Sequence, residues 1–290
     1  MYLLDIFYAH PPAFHVSMGV LGLLVGSFLN VVAYRLPRRM QAQWHKECSE
    51  LLGIQNTPAP AAHGLVSPRS RCPQCNRAIP ALENVPILSF VLLRGRCRGC
   101  GKPISWRYPL IELVSALATI AVAVRFGPSL QALAAAVLSW SLIALSAIDF
   151  EYKLLPDDIT LPLLWCGIIL NMFGLFTSVY DSLLGTMAGY LILWLVYHGF
   201  RLLTSKEGMG YGDFKLLAML GAWTGWQLLP FIIIVSSLVG AVVGVTLMFR
   251  RGHDRGTPIP FGPYLSVAGW IALLWGPALT GMYLQWALSP

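Results

Sequence analysis

Apolar runs of bilayer-crossing length recur along this chain, separated by short polar loops and one long polar interval. About 17–25 apolar residues suffice for one crossing. The pattern therefore predicts helices near 13–34, 108–126, 129–148, 159–177, 181–203, 214–227, 228–249 and 262–286. The sixth is short and shares Trp226-Gln227 with the seventh as a tight break, so seven crossings stand as the alternative to eight. Backbone in hydrocarbon has no water to bond to, which leaves an all-α polytopic membrane bundle as the fold class. Gly19, Gly22 and Gly26, and Gly185 and Gly189, have the small-residue spacing of closely packed helices. No internal repeat is strong enough to argue duplication.

Composition agrees with this pattern. The 290 residues are 56% hydrophobic and 11% charged, with a mean hydropathy of +0.64, against about 25% charged in soluble domains. The start, Met1 to His10, has no basic stretch, so no cleavable signal peptide is expected. Basic residues favour the cytoplasmic side of a membrane. Placing 35–107 there puts Arg35, Arg38, Arg39, Lys46, Arg69, Arg71, Arg77, Arg94, Arg96, Arg98, Lys102 and Arg107 inside. Alternation then adds Lys153, Arg201, Lys206, Lys215, Arg250, Arg251 and Arg255, and leaves Arg125 alone opposite. Both termini are expected in the periplasm. The net charge of +7 is thereby explained by topology, with attraction to anionic lipid and no need for nucleic acid.

The long interval 35–107 is the one sizeable soluble module. From about Gln41 to Ser70 it reads as a helix followed by a flexible link containing Asn56-Thr-Pro-Ala-Pro-Ala-Ala. Within 71–102 lie Cys72-Pro-Gln-Cys75 and Cys97-Arg-Gly-Cys100, with 21 residues between the inner cysteines. Two such pairs can give one tetrahedral ion four thiolates, making a structural zinc site with no open position for water. Two disulfides are the rival, disfavoured by the cytoplasmic placement, and a redox pair is a third reading. Cys48 reads as an ordinary thiol and Cys166 as a small buried residue.

Thirteen acidic residues remain to be sorted. Asp5, Glu47, Glu50, Glu83, Asp181, Glu207 and Asp254 fall in loops or exposed ends, where solvation explains them. Glu112, Asp149, Asp157, Asp158 and Asp213 all fall near cytoplasmic span ends, with Glu151 beside them. A carboxylate at that depth is costly to keep charged, so its default reading is functional. Asp213 closes the run Gly208-Met-Gly-Tyr-Gly-Asp213, whose glycines permit unusual dihedrals and close approach, and which could open to admit a substrate strand. It also reads as a helix N-cap. Asp149 ends the third span and reads equally as an ion-pair partner of Lys153 or Lys215. Asp157 and Asp158 follow Leu155-Pro156 as turn and cap residues. Glu112 is either an arginine partner or a neighbour of the site.

The six histidines are scattered, and no HExxH, GxSxG, P-loop or dinucleotide signature occurs. Aspartyl hydrolysis, with two carboxylates sharing a proton and activating a water, is the coherent enzyme reading.

Gly208-Met-Gly-Tyr-Gly-Asp213-Phe-Lys, with Asp149 upstream of Leu155-Pro-Asp157, resembles the bacterial type IV prepilin peptidases, GxGD-type intramembrane aspartyl proteases. Gly26-Ser-Phe-Leu-Asn30 with Arg35-Leu-Pro37, Glu83-Asn-Val-Pro86, the CxxC pairs, Arg107-Tyr-Pro109 through Glu112, and Pro260-Phe-Gly-Pro263 extend the likeness to most of the chain outside roughly 41–66. Members without the cysteines exist, so the likeness is to the cysteine-bearing branch. It implies removal of a basic leader from type IV prepilins and type II secretion pseudopilins, after a glycine on the cytoplasmic face of the inner membrane. Methylation of the new amino terminus with S-adenosylmethionine would follow. It further implies Asp149 and Asp213 as the catalytic pair and Cys72, Cys75, Cys97 and Cys100 as zinc ligands. The methyltransferase half rests on the resemblance alone.

The expected division is a first transmembrane helix at 1–34, a cytoplasmic zinc-binding module at 35–107 and the protease bundle at 108–290. Two other classes compete. An ion- or proton-coupled transporter with a structural zinc module predicts inverted repeats and mid-bilayer breaks. A non-catalytic assembly protein leaves the shared depth of the acids unexplained.

Overall fold

A computed structural model of the chain describes residues 7–54, 64–65, 69–206, 208–251 and 260–288. The link at Asn56 and the acids Asp5, Glu207 and Asp254 lie outside the described residues. The chain divides into two compact units, Met1–Ala144 and Leu145–Pro290. Apart from two isolated antiparallel bridges, the described secondary structure is helical.

The first unit is built on α1 (Pro11–Leu51) and α3 (Arg107–Phe126), with the short α2 (Leu88–Leu92) between them and the opening turns of α4 (Leu130–Tyr152). At 1.5 Å per residue α1 is about 60 Å long, roughly twice the hydrocarbon thickness. The apolar span predicted to end near 34 therefore continues as one helix through Pro37, with the Arg38 guanidinium lying over the Tyr34 ring. Side chains added at Gly22 and Gly26 would meet the Ala116 and Glu112 α-carbons at 2.8 and 2.7 Å, so these glycines let α1 lie directly on α3.

Glu112 lies in that contact, buried. Its carboxylate accepts the Ile87 N–H at 2.8 Å and a bond from Ser27, and among the described residues no arginine pairs with it. Ile87 has φ +57, and Leu88 N–H closes a bond to the Pro86 carbonyl at 2.5 Å. This is the geometry of a classic γ-turn, rare and strained for a β-branched residue. Glu112 thus pins the turn that begins α2.

The second unit holds the end of α4, then α5 (Asp157–Met172), α6 (Val179–Thr204), α7 (Tyr211–Thr224), α8 (Leu229–Arg251) and α9 (Gly262–Leu288). Its centre is α7, where Asp213, Phe214 and every residue from Leu216 to Thr224 are buried. A helix apolar on all sides has to be enclosed, and α5, α6 and α9 pack around it. Gly185 and Gly221 face each other so closely that a side chain on either would run into the other's carbonyl. Trp223 fills the space over Gly167 and donates to the Leu163 carbonyl at 2.8 Å.

Six described helices are long and apolar enough to cross a membrane. At 16 and 14 residues, α5 and α7 are shorter than the roughly 20 a full crossing takes. The span expected to reach 177 stops at Met172 because Gly174 turns left-handed (φ +67) and Asn171 accepts the Phe176 and Thr177 N–H groups. The break at Trp226-Gln227 is present, set by Gly225 at φ +82.

Gly185→Val is expected to destabilise the second unit by more than the ~1–3 kcal/mol of ordinary overpacking, because the obstacle is backbone. A thermal melt in detergent equal to wild type would contradict this packing.

Candidate functional site

Asp149 and Asp213 both lie in the second unit, on the last turn of α4 and the first of α7. They are 5% and 7% exposed.

Each carboxylate is held by one backbone N–H. The Gly262 N–H, at the start of α9, donates to Asp149 Oδ2 at 3.0 Å. The Gly210 N–H donates to Asp213 Oδ2 at 3.3 Å. Among the described residues, neither carboxylate accepts a second hydrogen bond. Asp213 is therefore not the N-cap of α7. Gly210 holds that position, and Asp213, three residues on, reaches back to it.

Neither lysine offered as an ion-pair partner makes a direct salt bridge with Asp149, although the Lys153 charge acts on it. Lys153 Nζ bonds the Phe150 carbonyl at 3.1 Å, and Lys215 pairs with Asp157 at 2.6 Å. That pair joins the start of α5 to the first turn of α7, where Asp213 also lies. Asp158 is exposed.

Gly210 and Gly212 have no left-handed φ, and close approach is what Gly208 and Gly212 supply. A side chain at Gly212 would meet Leu155 Cβ at 2.8 Å, and one at Gly262 would meet Asp149 Oδ2 at 2.7 Å and Leu155 Cδ2 at 3.1 Å. Leu155 thus wedges between the glycine beside Asp213 and the glycine that holds Asp149. Sequence reasoning singled out neither Leu155 nor Gly262 for these roles. Both lie in segments that carry the resemblance, Leu155-Pro-Asp157 and Pro260-Phe-Gly-Pro263, which was the available signal. Tyr264, on the same first turn of α9, also feels the Asp149 charge.

Two buried carboxylates, each with one anchored oxygen, are the kind of groups that acid–base hydrolysis employs.

The second candidate centre lies in the first unit, where the two CxxC segments fold alike. Cys72 N–H bonds the Arg77 carbonyl at 3.0 Å, and Cys97 N–H bonds the Lys102 carbonyl at 2.9 Å. Asn76 and Gly101, each one residue past its second cysteine, both turn left-handed (φ +58 and +70). All six cysteines are free thiols, which excludes the disulfide reading. The four sulfurs of Cys72, Cys75, Cys97 and Cys100 lie within 4.8 Å of one another, with Cys72–Cys100 and Cys75–Cys97 at 4.0 Å. Four sulfurs around an ion at about 2.3 Å stand roughly 3.8 Å apart, so the cluster could hold a metal ion. The N–H groups of Cys100 and Gly99 lower the Cys97 thiol to about 6, while desolvation and the neighbouring thiols push Cys75 up to about 11, as crowded sulfurs divide the protons between them.

Two acids expected to be merely solvated have specific partners. Glu83 pairs with Arg77 at 2.9 Å and Arg98 at 3.5 Å, tying the knuckles to the segment that follows. Asp181 accepts from Ser178, Trp226 and Gln227 at 2.6, 2.9 and 2.8 Å.

Residues 20–126 match the Bacterial Peptidase A24 N-terminal domain, and residues 136–245 match the Type IV leader peptidase family. The chain is 54% identical to the prepilin leader peptidase/N-methyltransferase of Pseudomonas aeruginosa, with 99% of each chain covered. It is 55% identical to the protein of that name from Stutzerimonas stutzeri, with 96% of each covered. For the Aeromonas hydrophila protein of that name the identity is 52%, covering 97% of this chain and 98% of the relative. No solved structure matches.

Proposed function

We propose, from the plain fact that this chain belongs to the type IV leader peptidase family, that it is a membrane aspartyl endopeptidase and N-methyltransferase acting on prepilins. The observation that carries the protease half is the buried pair Asp149 and Asp213, each anchored through one oxygen. One carboxylate, ionised, takes a proton from the attacking water, while the other, protonated, donates to the scissile carbonyl oxygen. Their N–H anchors hold both through this exchange without supplying a competing charge. The glycine run 208–212 is the segment proposed to give way to the extended substrate. The transporter reading is not favoured, since the acids stand at helix ends rather than at mid-helix breaks.

We assign zinc to the four cysteines in a structural role, because four thiolates leave no position for a reacting water. The proposed division is a first membrane helix at 1–34, a cytoplasmic zinc module at 35–107 and a protease bundle at 108–290, with both termini periplasmic in the bacterial inner membrane. Pseudopilins of type II secretion are proposed as further substrates, lipid as the surrounding partner, and nucleic acid as none. S-adenosylmethionine enters through the methyltransferase half of the relatives' name, and the cytoplasmic module is proposed to receive it. Among the described residues there is no strand-and-helix cradle for such a donor, so no step is routed through it.

The test is a peptide carrying a basic leader, a glycine and a following phenylalanine, incubated with the purified chain in detergent. A single cut after the glycine is expected, and an intact peptide would reject the protease reading. Gly262→Ala is expected to cut roughly 10²-fold more slowly, the cost of a misplaced reacting group, because the added carbon meets Asp149 Oδ2. An unchanged rate would mean that Gly262 does not position Asp149.

A further inference from the structure

The first unit contains an open groove of about 750 Å³ that the cleavage chemistry does not use. One wall is α2 with its preceding turn (Ile87, Phe90, Val91), and the other is the start of α3 (Pro109, Leu110, Leu113). Arg94 and Arg96 also line it. Trp106 stands 76% exposed against Phe90, with ring centroids 4.8 Å apart. The lining is overwhelmingly apolar, and Val91, Leu110 and Leu113 are exposed beside it. The groove is held in shape from beneath, because Glu112 fixes the Ile87 turn.

Position and charge decide what fills it. As a 20-residue helix, α3 is about 30 Å long, the full thickness of the hydrocarbon core, so its first two turns stand at the membrane boundary. An apolar channel opening there meets acyl chains. An exposed tryptophan at that level is the usual amphipathic marker of the interface. Arg94 and Arg96 are exposed, and among the described residues neither forms an ion pair. Two such cations lining an otherwise apolar groove complement a phosphate and an acyl tail in one molecule.

We propose that this groove is a binding site for an anionic phospholipid, with an acyl chain between α2 and α3 and the headgroup phosphate on Arg94 and Arg96. The site would tie the four-cysteine module to the membrane surface. It rests on the reading of α3 as a membrane span and not on the carboxylate pair.

The experiment uses the full chain in bilayers of neutral phosphatidylcholine with a rising fraction of phosphatidylglycerol brominated near the top of its acyl chains. Tryptophan fluorescence is compared between wild type and Trp106→Phe, which isolates Trp106 from the other nine tryptophans. Trp106 is expected to be quenched at a lower fraction of brominated phosphatidylglycerol than of brominated phosphatidylcholine. Arg94→Gln with Arg96→Gln should remove that preference, each arginine accounting for roughly a fivefold shift in the half-quenching fraction. Equal quenching by the two lipids, or a preference that survives the double substitution, overturns the proposal. Metal content confirms that the module is folded in each variant. Peptide cleavage measured alongside keeps failure of the protease reading distinguishable from failure of this one.

Discussion

Asp213→Asn is expected to abolish leader removal, by on the order of 10³-fold or more, while the protein stays folded. The contrast between these two outcomes separates the readings that the sequence leaves open. If Asp213 were only a capping residue, asparagine would serve nearly as well, since it is among the best caps, and neither stability nor processing would change much. The amide can still accept the Gly210 N–H that now reaches Oδ2 at 3.3 Å. It cannot take a proton from water or carry one to a carbonyl. Burying a neutral amide at a site 7% exposed also costs less than burying a charge. Stability should therefore hold or rise as activity is lost. The same logic applies to Asp149→Asn, whose amide keeps the Gly262 contact. The measurement is peptide cleavage by purified variants, with thermal melts in the same detergent. Substantial processing by either variant would remove that residue from the catalytic pair.

Cys72→Ser is the second change with a large expected effect. Cys72 is the most buried of the four clustered thiols, and a hydroxyl is a poor replacement for a thiolate on zinc. Zinc contributes on the order of 10 kcal/mol to folding in small modules, and the knuckles have little apolar core with which to replace it. Metal content should fall from one zinc per chain to none, and 71–102 should become sensitive to protease at natively folded concentrations of the rest. A strong chelator should do the same to the wild type. Retention of one zinc per chain by the Cys72→Ser protein would refute the four-thiolate site.

The helical class was legible because bilayer physics acts on composition directly. A run such as 129–148 has one stable solution in hydrocarbon, and α4 spans Leu130–Tyr152. The glycine pairs were legible for a similar reason, since Gly22 and Gly185 sit where backbone meets backbone. Helix ends were harder to read. The join of the first span to the helix read from about Gln41 runs unbroken through Pro37, and the stop of α5 at Met172 depends on the Asn171 side chain, a contact that hydropathy does not contain. Glu83 and Asp181 sit in loops as expected, but their partners come from elsewhere in the chain, and loop position alone suggests only solvation.

By itself, the sequence determined that this is a helical membrane protein with two CxxC pairs and carboxylates at the ends of its spans. Apolar length, cysteine spacing and the cost of intramembrane charge are local properties, readable one segment at a time. Only the tertiary structure decided how those carboxylates are held. Gly262 lies 113 residues from Asp149, and Leu155 touches both Gly212 and Gly262. A hydrogen bond from a backbone N–H leaves no trace in the identity of its donor, so such anchors emerge only when α4, α7 and α9 are packed together.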